Sequence, residues 1–201
     1  MTDSQPVTGR AIHPVEAARA EQYRFLSHVL STAPDKAVLT QIAGLQGDDT
    51  PMGQAYGALA TAAKTADPQA VQREYFELFV GVGRGELLPY ASFYLTGFLN
   101  ERPLAVLRDD LAQLGVARAV NRHDPEDHMA LLLSVMADMI AGDIAVNAQA
   151  QAAFFSKHIA PWAAQFFDDL AVAPSARFYR PVAEIGRLLT DIEARAFQLA
   201  A

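Results

Sequence analysis

The run His123-Asp124-Pro125-Glu126-Asp127-His128 puts two imidazoles and three carboxylates within six residues. Such a set can ligate a metal, or it can receive a cation through charge-assisted hydrogen bonds. Helical metal sites need ligands at i, i+3 or i, i+4 on one face. Here Asp124-Pro125 predicts a helix start, with Asp124 as N-cap and Pro125 at N1. Asp127 then falls at N3, where a carboxylate favours the helix dipole, and His123 lies outside the helix. Capping leaves His128 unexplained, since a cation in the first turn opposes the dipole. A polar recognition patch at a helix start accounts for these residues best. The alternative is a small all-α metal-binding protein or enzyme using His123, Asp127 and His128.

Three other places carry candidate chemistry. Tyr75-Phe76-Glu77-Leu78-Phe79 and Pro89-Tyr90-Ala91-Ser92-Phe93-Tyr94 are dense in aromatic residues. They read as core, or as an aromatic-lined groove for a peptide, because aromatics are enriched at binding surfaces. Gly81-Val82-Gly83-Arg84-Gly85 has the wrong spacing for a dinucleotide fingerprint and lacks the Gly-Lys-Ser/Thr of a phosphate loop, so it reads as a flexible connection. His158-Ile159-Ala160-Pro161-Trp162, with Phe154, Phe155, Phe166 and Phe167 around it, reads as a packing hub, with His158 structural. The sequence has no G-x-S-x-G elbow and no H-E-x-x-H helix. Catalytic and cofactor-binding residues are therefore expected to be absent.

The elements holding these residues read as helices throughout. Tyr23, Leu26 and Leu30 mark one apolar stripe, and Val38, Leu39, Ile42 and Leu45 a second. Thr50-Pro51 and Asp67-Pro68 repeat the N-cap and N1 signal. Short helices are expected over 92–99 and from Pro103, with Gly115 as a left-handed terminator. One more begins at Asp124, others cover 148–158 and 161–172, and the last runs from Ser175 to the C-terminus. Sustained apolar–polar alternation is missing. The expected fold class is all-α, a single compact domain of eight to ten helices over residues 13–201, after a loose arm at residues 1–12.

Of the 201 residues, 51% are hydrophobic and 19% charged, enough to build a sizeable core and too apolar for disorder. Zero Cys excludes thiolate metal sites, disulfides and a Cys nucleophile. A net charge of −7 disfavours nucleic acid as a partner. With no apolar run near the ~20 residues of a membrane span, and no signal-like start, a cytoplasmic location without membrane insertion is expected.

Four motifs in order then become recognisable: Tyr75-x-x-Leu78-Phe79, Pro89-Tyr90-x-Ser92, Asp124-Pro125-x-Asp127-His128 and His158-x-x-Pro161-Trp162. Together they resemble the TorD/DmsD family, cytoplasmic chaperones of molybdenum redox enzymes exported by the twin-arginine route. The likeness runs from about residue 14 to the C-terminus. It departs at Asp124, where that family usually has Glu. The resemblance implies an all-helical fold, monomeric or domain-swapped into a dimer, and a non-enzymatic role. The implied partner is a molybdenum oxidoreductase precursor, bound by its signal peptide with or without its mature part, and held until cofactor insertion and export. It also implies peptide contacts from Tyr75, Leu78, Phe79, Pro89, Tyr90, Ser92, Asp124, Pro125, Asp127 and His128. In that reading the aromatic groove takes the apolar part, and carboxylates such as Asp127 take the arginines.

Overall fold

The computed structural model describes residues 12–116 and 124–199. The expected N-terminal arm lies outside them except for Ile12, and so does His123. The described residues form ten α-helical segments and no strand. They are α1 (Pro14–Ser31), α2 (Lys36–Ala43), α3 (Pro51–Thr65), α4 (Pro68–Tyr75), α5 (Ala91–Thr96), α6 (Arg102–Gln113), α7 (Met129–Ala141), α8 (Ala148–Phe154), α9 (Ala160–Val172) and α10 (Tyr179–Leu199). A π turn, Phe155–Ile159, fuses α8 to α9, and another, Phe76–Val80, extends α4. The all-α reading stands.

Local signals start most of these helices. Thr50 caps α3 by accepting the Gly53 N–H, and Asp67 caps α4 by accepting the Gln69 N–H, each followed by Pro. Gly115 is left-handed just past α6, as expected for a terminator. The last helix starts later than Ser175, at Tyr179. Its entry is held from a distance: the Glu74 carboxylate accepts the N–H groups of Arg177, Phe178 and Tyr179 at 2.7–3.1 Å. Three donors that a helix start leaves unpaired are thereby satisfied from α4.

The core lies where α1 packs on α7, and α10 on α9 and α3. Trp162, Phe155, Phe166, Phe167, Tyr23 and Tyr179 are all fully buried there. Each large apolar side chain so buried contributes roughly 1.5–3 kcal/mol. Gly186 lets α10 approach α9 closely, since a Cβ there would stand 2.1 Å from the Phe167 ring. The packing hub expected around Trp162 is present. Its indole donates to the His158 carbonyl at 2.8 Å, and its ring meets Tyr94 and Phe166.

One buried ion pair ties α1 to α10. Arg19 makes two hydrogen bonds to Glu193, at 2.7 and 2.5 Å, and the Tyr23 hydroxyl donates to the same carboxylate at 3.0 Å. Glu193 is 3% exposed, so it depends on these donors for the hydrogen bonds it loses with water.

Candidate functional site

The second and third motifs are far apart in sequence and joined in space. Residues 89–91 and 127–129 run antiparallel. The Ala91 N–H donates to the Asp127 carbonyl at 3.0 Å, and the Met129 N–H to the Pro89 carbonyl at 2.8 Å. Between these bonds, Tyr90 and His128 form the single β-bridge among the described residues. The Ser92 N–H, at the start of α5, donates to Asp127 Oδ2 at 2.7 Å.

This pairing corrects the expected helix start. Helix α7 begins at Met129, not at Pro125. His128 is extended, and the Asp127 carbonyl and the Met129 N–H on either side of it are taken up by residues 89–91, which local capping rules do not anticipate. The N-cap is His128, whose Nδ1 accepts the Ala130 N–H at 3.1 Å. The residue that capping left unexplained is therefore the cap. Pro125 to His128 form a turn ahead of α7, closed by the His128 N–H on the Pro125 carbonyl at 3.3 Å and moored to α6 by Glu126, which accepts from Arg108 Nε and Nη2 at 2.9 and 2.8 Å. Asp127 belongs to no first turn.

Asp127, in the turn, and His128, extended after it, border two different cavities. On one side, His128 faces a polar cavity of about 220 Å³, lined also by Ser31, Tyr75, Asp124, Pro125 and Leu131. Tyr90 sets its edge against the His128 ring, with centroids 5.1 Å apart and planes at 82°. Burial, and then the charge of Asp124, push the Tyr90 phenol up to about 12. The Tyr75 phenol is raised for the same two reasons. Asp124 itself is exposed. The cavity thus offers one solvent-facing carboxylate, tyrosine rings and an imidazole.

On the other side, Asp127 and Ala91 face a mainly apolar cavity of about 340 Å³ between α5, α6 and α7, lined also by Leu95, Val106, Leu107 and Leu132. His158 and Lys157 stand at its rim, both on Asp110 Oδ2 at 2.6 Å. Burial holds the His158 imidazole below its ordinary range, even against the pull of Asp110. His158 is structural, as expected.

The expected peptide-contact residues divide into two groups. Tyr75, Tyr90, Asp124, Pro125 and His128 come together around the polar cavity. Leu78, Ser92 and Asp127 are 0% exposed, and Pro89 is buried too. Phe79 is half-buried, packed between Tyr75 and Tyr179 at centroid distances of 5.1 and 5.4 Å. The aromatic motif is thus mostly core, with Tyr75 at its open edge. Ser31 and Leu131 line the cavity without any signal in their sequence surroundings. Of the metal alternative's residues, His123 lies outside the described residues; among the described residues no group of three metal-ligating side chains forms.

The glycine-rich connection turns back on the π turn. The Glu86 and Leu87 N–H groups donate to the Glu77 and Leu78 carbonyls at 2.9 and 2.8 Å. Gly81 is left-handed, with φ of 62°, and a Cβ there would strike the Arg84 carbonyl. The connection is a tight reversal, with Arg84 laid over the Phe93 ring.

Residues 45–168 match the protein family described as the nitrate reductase delta subunit. The chain belongs to this family, and within it to the TorD/DmsD group that its motifs resemble. It is similar to the chaperone protein TorD of Vibrio cholerae, 29% identical over 142 residues and covering 64% of each chain. It is also similar to the chaperone protein TorD of Shewanella loihica, 24% identical over 91% of this chain and 94% of the relative. A probable Tat proofreading chaperone DmsD of Haemophilus influenzae is 30% identical over 57% of this chain and 56% of the relative. The Vibrio match thus spans just under two thirds of that relative's length. Among solved structures, a putative redox enzyme maturation protein from Archaeoglobus fulgidus shares the fold, with a TM-score of 0.59, 17% identity, and coverage of 94% of this chain and 99% of that one. No described helix is long and apolar enough to cross a membrane.

Proposed function

We propose that this chain is a cytoplasmic maturation chaperone that binds the twin-arginine signal peptide of a molybdenum redox-enzyme precursor and holds it until cofactor insertion and export. The carrying observation is the polar cavity where the motifs meet, with the exposed Asp124, together with Tyr75 and His128, among its lining residues and the Tyr90 ring packed against His128. A guanidinium suits such a place. It pairs with a carboxylate through charge-assisted hydrogen bonds and stacks on aromatic faces. With one carboxylate among its lining residues, the cavity takes one arginine side chain, and the second arginine lies outside it. Binding needs no catalytic group, and the names of the relatives support a chaperone's role.

Isothermal titration with a synthetic twin-arginine signal peptide tests this. A dissociation constant on the order of micromolar, about −8 kcal/mol, is expected. Binding should weaken with salt, because exposed charges are screened. Replacing both peptide arginines by glutamine should abolish it. Equal affinity for the glutamine peptide would refute the arginine reading.

A further inference from the structure

We infer that Asp127 is a positioning residue, which clamps the start of α5 so that Tyr90 holds the His128 ring at the polar cavity, and that it is not the acceptor of a peptide arginine. For the peptide arms of its test, this inference rests on the reading proposed above.

The geometry separates the two roles. Asp127 has no exposed surface, and its Oδ2 is occupied by the Ser92 N–H at 2.7 Å. Its Oδ1 is buried, as is the Ser92 hydroxyl, so neither is presented to solvent. Asp127 also borders the mainly apolar cavity between α5, α6 and α7, and on that side too its carboxylate has no accessible surface. The same residue's carbonyl accepts the Ala91 N–H. Asp127 therefore grips two successive N–H groups of α5, one with its backbone and one with its side chain. Between this grip and the Met129–Pro89 bond lies the Tyr90–His128 bridge. Fixing Ala91 and Ser92 sets the extended conformation of Tyr90, and hence where its ring meets His128. Asp124, on the accessible side of the turn, is left as the charge a cation can reach.

Asp127→Asn keeps an oxygen acceptor for the Ser92 N–H and removes the charge. Asp124→Asn removes the exposed charge. If Asp127 positions, Asp127→Asn binds a twin-arginine signal peptide within about threefold of the parent, with the parent's dependence of log Kd on log salt. Asp124→Asn then weakens binding by about tenfold or more and flattens that dependence. The opposite result, with Asp127→Asn losing affinity and salt dependence as Asp124→Asn does, overturns the inference. A second readout needs no peptide. The ring protons of His128, shifted by the Tyr90 edge, should keep their resonance positions in Asp127→Asn and move in Asp127→Ala. Unmoved positions in a folded Asp127→Ala protein would also overturn the inference, and if that variant does not fold, Asp127→Asn alone decides. A parent protein that binds no twin-arginine peptide refutes the proposed function, while the His128 resonances still test the clamp.

Discussion

Ser92 and Asp127 stand 35 residues apart in sequence, and the backbone N–H of one lies 2.7 Å from the carboxylate of the other. Through that bond the first turn of α5 is capped by a residue from the approach to α7. Two motifs that look independent along the chain become one structural unit. Its outward side carries Tyr90 and His128.

His128 serves this unit as a cap and as a ring. His128→Ala is expected to lose the bond to the Ala130 N–H, costing ~0.5–2 kcal/mol of stability. His128→Asn should recover most of that loss, because Asn is a strong N-cap, while still losing the edge contact with Tyr90. Thermal unfolding of both variants checks this. Equal destabilisation by Ala and Asn would show that the cap bond contributes nothing.

Asp124 should be visible in the titration of Tyr90. The Tyr90 phenol, pushed up to about 12 by burial and by the neighbouring carboxylate, ionises at lower pH once that charge is removed. Asp124→Asn is therefore expected to lower one tyrosine midpoint in an ultraviolet pH titration, with Tyr90→Phe identifying which one. Stability near pH 7 is untouched through this group, because the phenol is neutral there in both folded and unfolded chains. An unchanged titration would mean that Asp124 does not act on Tyr90.

His158 and Asp110 make stability fall as pH falls, in two windows. Burial lowers the folded His158 below the unfolded value of about 6.5, so the unfolded chain binds the proton more readily. Stability contributed by the neutral imidazole is present above that value and is lost as pH drops from it toward the folded value. Asp110 is held below the ordinary carboxylate value by its bonds to Lys157 and His158, which outweigh its desolvation. Its contribution disappears at lower pH, as the medium passes through the folded value. Urea unfolding of His158→Gln should show a flatter dependence between pH 7 and 5 than the parent, and a retained slope would remove His158 as its source.

The Arg19–Glu193 pair should be costly to break. Glu193→Ala takes from Arg19 two of its hydrogen bonds, leaving those to Glu16 and Gln151, and leaves the Tyr23 hydroxyl without its acceptor, and a loss of about 3 kcal/mol, the low end for breaking a buried pair, is expected. Replacing both partners, as in Arg19→Met with Glu193→Met, should cost much less, because the exchange leaves no orphaned charge. Chemical denaturation of the single and double variants gives the comparison. Additive losses would argue against coupling.

Much of this molecule was legible in its residue order. The Thr50-Pro51 and Asp67-Pro68 starts, the Gly115 terminator and the apolar stripe of α1 came out where local chemistry places them. These signals act within one or two turns of backbone, so they survive whatever the rest of the chain does. The same rule failed at Asp124-Pro125, and it failed because of tertiary pairing. The Asp127 carbonyl and the Met129 N–H are spent on Ala91 and Pro89, so α7 waits until Met129.

By itself the sequence determined the fold class, most helix starts and the membership of the four motifs in one family, because periodicity, caps and motif order are properties of neighbours along the chain. Only the tertiary structure decided which motif residues are reachable. Leu78, Ser92 and Asp127 lie inside, while Tyr75, Tyr90, Asp124 and His128 gather at the polar cavity. The physical reason is that the Asp127 carbonyl and carboxylate are both taken by the start of α5, which turns that side chain inward, and which side of the turn faces solvent depends on the helices packed against it. Residue type cannot reveal that choice: Asp124 and Asp127 have the same chemistry, and the bridge between Tyr90 and His128 settles which of them faces water.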